Sequence, residues 1–158
     1  MYTGYKKIHG IKHQTIGMAN GMCFHQTKAE SCRRHDLWIF EKSNMNIHIS
    51  ELSYFMAFGD SAYHEMAGVT SGSEIMTLLM RRAMSGVREP IEWMYRDIAA
   101  FWKITAMPWI FKLLDGFDRA SNVMDMCFLF NNFWNCMNHN QTSQFFECPP
   151  PSFENYIA

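Results

Sequence analysis

The 158-residue chain has no CxxC pair, and its five cysteines, Cys23, Cys32, Cys127, Cys136 and Cys148, are odd in number and far apart. That spacing supports neither a zinc ribbon nor a dithiol redox motif, and reduced intracellular thiols are the simplest reading. Long apolar runs are also missing. The richest stretch, 123–137, is interrupted by Asp125, Asn131, Asn132 and Asn135, which makes it too short and too polar to span a bilayer. Lys6 and Lys7 lead to His9 and Gly10 rather than to an apolar core, so no signal peptide is expected. A net charge of −1 gives no global sign of a polyanion partner. What is present is a 48% hydrophobic fraction, which fits one soluble globular domain with a real core. The 14 methionines and 13 phenylalanines favour adaptable packing within it.

The few charges are unevenly spread. Before Asp36 stand Lys6, Lys7, Lys12, Lys28, Arg33 and Arg34 against Glu30 alone. From Asp115 onward stand Asp115, Asp118, Asp125, Glu147 and Glu154 against Arg119 alone. A basic N-terminal part suits a polyanion, and it equally suits a solvated basic face.

Imperfect alternation over 8–17 favours a strand. Ala19-Asn20-Gly21 carries an Asn-Gly turn signal, so 22–27 is expected to return as the second strand of a hairpin. Arg34-His35-Asp36 opens a helix through Leu37, Phe40 and Glu41, with Asp36 suited to its N-terminus. Segment 44–50 reads as a loop, and the apolar run 52–58, ending at Gly59, reads as a buried strand. A helix is expected over 73–84, with Ser85-Gly86 interrupting it. The next helix has Ile91, Met94, Tyr95, Ile98, Phe101 and Trp102 on one face of a 3.6-residue period and Pro90 in its first turn. Pro108 marks a break, 119–138 reads as a largely buried helix, and Cys148-Pro149-Pro150-Pro151 ends regular structure before a tail in which Phe153 and Tyr156 dock. Strands followed by helices suggest an α/β or α+β domain.

Two carboxylates stand out. Asp60 follows the apolar run at a turn; Glu92 lies on the flank of the helical face, with Arg96, Ala99 and Lys103 on the same flank. Each also has an ordinary role, Asp60 as a turn or N-cap residue and Glu92 in an i,i+4 contact with Arg96. Phe58-Gly59-Asp60-Ser61 also resembles the nucleophile block of Gly-Asp-Ser esterases, with Ser61 as nucleophile. The downstream Asp-x-x-His pair those enzymes need is absent. A zinc site of His35, Asp36 and His64 can be drawn, without short-spacing support.

The blocks in order are more specific than any one alone. Met1-Tyr2-Thr3-Gly4-Tyr5-Lys6-Lys7-Ile8-His9-Gly10-Ile11-Lys12-His13-Gln14-Thr15 resembles the segment after the first catalytic Asp in Harbinger-type DDE transposases and their endonuclease relatives. Arg33-Arg34-His35-Asp36 resembles their Arg-His-Asp block, and Gly59-Asp60-Ser61-Ala62-Tyr63 their second-Asp block. Val87-Arg88 with Ile91-Glu92-Trp93 resembles their Val-Arg-x-x-Val-Glu-Trp segment. Gln141-Thr142-Ser143-Gln144-Phe145-Phe146 and the Pro-Pro-Ser-Phe-Glu-Asn-Tyr that ends the chain resemble a eukaryotic subgroup's terminus.

The resemblance implies a ribonuclease-H-like α/β fold, truncated at the N-terminus and followed by C-terminal helices. It implies one partial endonuclease domain over 1–158: hairpin, helix and second-Asp strand in 1–63, a helical part in 73–138 and a tail in 139–158. It implies cleavage of DNA phosphodiesters with Mg²⁺ or Mn²⁺, one ion activating water or a 3′-hydroxyl and the other stabilising the leaving oxygen. Asp60 and Glu92 carry over as second and third metal-binding, catalytic acids. Asp36 and Arg88 would support them. Lys6, Lys7, Lys12, Arg33 and Arg34 would contact DNA. A nuclear location and a separate DNA-binding partner protein are also implied.

Three departures bear on activity. No Asp precedes Asp36, so the first acid and its central strand are expected to be absent. Glu89-Pro90 stands where relatives carry helix formers and is expected to start that helix late. The stretch between Asp60 and Glu92 lacks the longer polar connection of many relatives, and no N-terminal helix-turn-helix is expected in these residues.

Overall fold

The computed structural model describes residues 2–3, 8–52, 54–63, 67–71, 77–106 and 116–158. Lys6, Lys7, His64, the expected helix start at Ser73-Glu74 and Pro108 lie outside these. The chain is mixed α/β, with six α-helices and small sheets among the described residues. It divides into two compact units, Met1–Gln14 with Glu30–Glu89, and Thr15–Ala29 with Pro90–Ala158.

In the first unit, β1 (Tyr2–Thr3) pairs antiparallel with β2 (Ile8–His9), and β3 (Ile11–Lys12) with β6 (Glu30–Ser31). Helix α1 (Asp36–Lys42) begins where the sequence places it, with Asp36 in its first turn and Ile39 and Phe40 buried. Segment 44–50, expected as a loop, instead forms helix α2 (Met45–Glu51). Its polar composition hides an i,i+4 pair, Met45 and Ile49, that is enough to seat one short apolar stripe. The run 52–58 is not a buried strand. Tyr54 is 95% and Phe55 70% exposed, and among the described residues of the run only β7 (Ala57–Phe58) is assigned to a strand. It pairs parallel with β8 (Val69–Thr70), through Ala57 N–H to Gly68 O at 2.9 Å and Gly59 N–H to Thr70 O at 3.0 Å. Gly68 enters β8 at φ +75°, and a Cβ there would meet the α2 backbone at Ser50 N at 3.0 Å.

Helix α3 (Leu78–Phe101) replaces the expected pair of helices. Ser85-Gly86 does not interrupt it, and Pro90 lies inside it rather than in a first turn. The N–H that Pro90 lacks would have bonded to Gly86 O one turn back, so the two helix-weakening residues share one vacancy in the ladder. The division between the units falls between Glu89 and Pro90.

In the second unit, β4 (Thr15–Gly17) and β5 (Cys23–Gln26) form the expected hairpin, with a register shift at Ile16/Gly17. Its turn closes through Met18 N–H to Met22 O at 2.9 Å, with Gly21 at φ +82°. The core gathers Met94 and Ile98 of α3 with Met124, Cys127 and Phe128 of α4 (Phe117–Met137). The period read for 91–102 is therefore the buried stripe, although Phe101 stays half-exposed.

Helix α4 is not largely buried. Met126, Leu129, Phe130, Trp134 and Met137 are exposed, while Asn131, Asn132 and Asn135 face inward. Asn132 and Asn135 satisfy part of the hairpin's backbone. Asn132 pairs with both the N–H (2.8 Å) and the C=O (2.9 Å) of Cys23, and Asn135 donates to Gly21 O at 2.8 Å. Ser121 Oγ accepts from Ala29 N–H at 2.6 Å. After α5 (Gln141–Phe145), the triple proline leads to α6 (Phe153–Ile157), whose Phe153 and Tyr156 rings meet Phe133 edge-on at 5.3 and 5.8 Å. No helix among the described residues is long and apolar enough to cross a membrane.

Candidate functional site

The second-Asp position is built by the parallel pair. β7 ends at Phe58, Gly59 still bonds to β8, and Asp60 is the first residue free of the ladder. Its carboxylate is exposed, and Oδ1 accepts the Ala62 N–H at 2.9 Å. Its carbonyl accepts the Tyr63 N–H at 3.1 Å. Asp60 thus caps the 3₁₀ turn Ser61–Tyr63, and the Tyr63 ring packs edge-on to Phe40 of α1 at 5.6 Å. The turn is anchored, and one carboxylate oxygen is engaged with its own backbone.

Asp36, the supporting acid, is half-buried. Lys12 Nζ donates to its Oδ1 at 2.9 Å and to Arg34 O at 3.2 Å, while Gln14 Nε2 donates to its carbonyl at 2.6 Å. Lys12 is therefore turned onto the entry of α1, where its charge is matched by Asp36. Arg33 and Arg34 are exposed, and the Arg34 guanidinium lies 4.4 Å from the centre of the Trp38 ring. Lys42 Nζ stands 4.9 Å from the same ring and pairs with Glu30. Trp38 and Lys42 were not among the residues expected from the sequence. Their signal is the spacing Arg34, Trp38, Lys42 at i, i+4, i+8, one face of α1 and its approach.

Arg88 is exposed on the part of α3 belonging to the first unit, and Glu92 is exposed on the part belonging to the second. Arg96 does not serve Glu92; its guanidinium donates to Gln141 Oε1 at 2.9 Å and to Asp97 Oδ1 at 3.4 Å. Among the described residues, no three His, Cys, Asp or Glu side chains converge where a metal ion could be held. His35, Asp36 and His64 gain no support as a zinc site: the Asp36 carboxylate is taken by Lys12, and His64 lies outside the described residues.

The thiol of Cys23 is no nucleophile. Burial, helped by the charge of Asp125, pushes it from 9.0 up to about 12, against a lowering effect of the His25 backbone. The folded chain holds this proton more firmly than the unfolded one. The associated stability is complete below pH 9.0 and falls as pH rises toward about 12. Urea midpoints measured across that window are expected to fall less steeply in Cys23→Ala than in the parent.

Comparison with known protein families, curated proteins and solved structures finds no match to this chain.

Proposed function

We propose that the chain derives from a Harbinger-type DDE endonuclease of ribonuclease-H-like fold, and that its own metal-dependent cleavage of nuclear DNA is impaired. The observation that carries this reading is the order of the five sequence blocks, with Asp60 directly after β7 and Glu92 on a helix. The impairment rests on the acids. The matched positions provide Asp60 and Glu92 for chemistry that uses three, and Asp36, the nearest further carboxylate in the motif order, is committed to Lys12. The described residues therefore do not make a fitting Mg²⁺ or Mn²⁺ site, and no cleavage step is assigned to them. Supercoiled plasmid in Mg²⁺ or Mn²⁺ tests this: the parent chain and Asp60→Ala are expected to nick at the same background rate. Robust nicking abolished by Asp60→Ala would refute the impairment.

A second reading is a non-enzymatic, transposon-derived remnant that binds DNA or a protein, and the exposed Arg33 and Arg34 beside Trp38 favour its DNA-binding form. Its sign is duplex binding that weakens with salt and is equal in the parent, Asp60→Ala and Glu92→Ala.

A further inference from the structure

We infer that Arg34, Trp38 and Lys42 form a cation–aromatic clamp for the backbone phosphates of duplex DNA, with Trp38 as the positioning residue. The inference rests on DNA being the partner, and it adds Trp38 and Lys42, which lie outside the matched motifs, to Arg34. Two cations converge on one partly exposed indole, at 4.4 and 4.9 Å from its centre. A guanidinium held against a ring face keeps its edge N–H groups free to donate to an oxyanion. The backbone beneath Arg34 is also fixed, because Lys12 Nζ bonds to Arg34 O and to the Asp36 carboxylate together. Much of the side-chain ordering that anion binding would require is thus already in place. Arg33, exposed next to Arg34, adds a third cation.

The facing acids are accounted for. Asp36 is matched by Lys12, and Glu30, the less exposed partner of Lys42, holds that lysine in place while cancelling part of its charge. Glu41 lies exposed on α1. The clamp is therefore net positive but partly restrained, and Glu30 is the restraint.

The test is fluorescence anisotropy of the full chain with a labelled duplex of arbitrary sequence across a salt series. Arg34→Ala is expected to weaken binding and reduce the log–log salt slope by about one. Trp38→Leu removes no charge, yet binding should weaken by about 5-fold as both cations lose their platform, and Trp38→Phe should restore most of it. Glu30→Gln should tighten binding and steepen the slope by releasing Lys42. Thermal melts run alongside identify any variant that fails to fold, and Glu30→Gln, a gain, cannot be mimicked by misfolding. Salt-dependent binding that Arg34→Ala, Trp38→Leu and Glu30→Gln all leave unchanged overturns the clamp while leaving a DNA-binding remnant intact. Absence of any salt-dependent duplex binding overturns both, and neither result bears on the nicking assay.

Discussion

Asn132→Leu is expected to destabilise the second unit by about 3–5 kcal/mol, because it leaves several buried polar groups unpaired at once. Asn132 is 4% exposed. Its amide accepts from the Cys23 N–H, donates to the Cys23 C=O, and also donates to Tyr156 Oη at 3.0 Å. A side chain of similar volume fills the space but meets none of these groups. The Cys23 N–H and C=O on the part-buried edge facing α4 are then left without that partner. At a pH where the new acid is protonated, Asn132→Asp keeps an acceptor for the Cys23 N–H and one O–H donor, so it loses one of the two donated bonds and should fall between parent and leucine. Urea denaturation followed by tryptophan fluorescence and by circular dichroism gives the number. A loss below about 1 kcal/mol would mean that the hairpin does not depend on α4.

Ile98→Ala is expected to cost about 2–5 kcal/mol, and Ile98→Val about 1 kcal/mol. Ile98 is 1% exposed and sits with Met94, Met124, Cys127 and Phe128 in the core of the second unit. Two methionines line the space, and their flexible side chains can move partway into the cavity, which favours the lower half of that range. The same melts measure it. A valine variant as damaging as the alanine one would point to a shape requirement rather than to buried area.

These two residues also mark what the sequence displays and what it hides. Ile98 belongs to an apolar stripe with helical period, a signal that survives without knowledge of the partner. The hairpin was legible for a similar reason, since Asn20-Gly21 encodes its turn locally. Asn132 carries no such signal. Its backbone partners lie on a hairpin more than a hundred positions earlier in the chain. α4 buries asparagine and exposes Leu129, Phe130 and Trp134, which inverts the usual contrast between faces. Segment 44–50 looks like a loop, yet two apolar residues among polar ones suffice for a short helix. In the run 52–58, apolar composition does not translate into burial, and Tyr54 and Phe55 face solvent. Pro90 and Gly86 each argue for a break, yet α3 runs through both, since a proline removes one donor and its carbonyl partner belongs to a glycine that can adjust.

At the candidate site, the strand-end position of Asp60 and the helical position of Glu92 could be read from the apolar run and the period around them. The local bonds of Asp60 and the pairing of Asp36 with Lys12 could not, because each depends on where a neighbouring element places its donors. Beyond its spacing from Arg34 and Lys42, nothing in the sequence around Trp38 marks it out, and its setting comes from the two cations placed against its ring.

The most direct measurement is plasmid nicking in Mg²⁺ by a chain carrying a strand with a first acidic residue fused ahead of Met1. On the proposed DDE ancestry, the fused chain is expected to gain metal-dependent nicking and to lose it again in Asp60→Ala and in Glu92→Ala. A fused chain that folds cooperatively and still fails to nick, or one whose nicking survives both substitutions, would contradict the account.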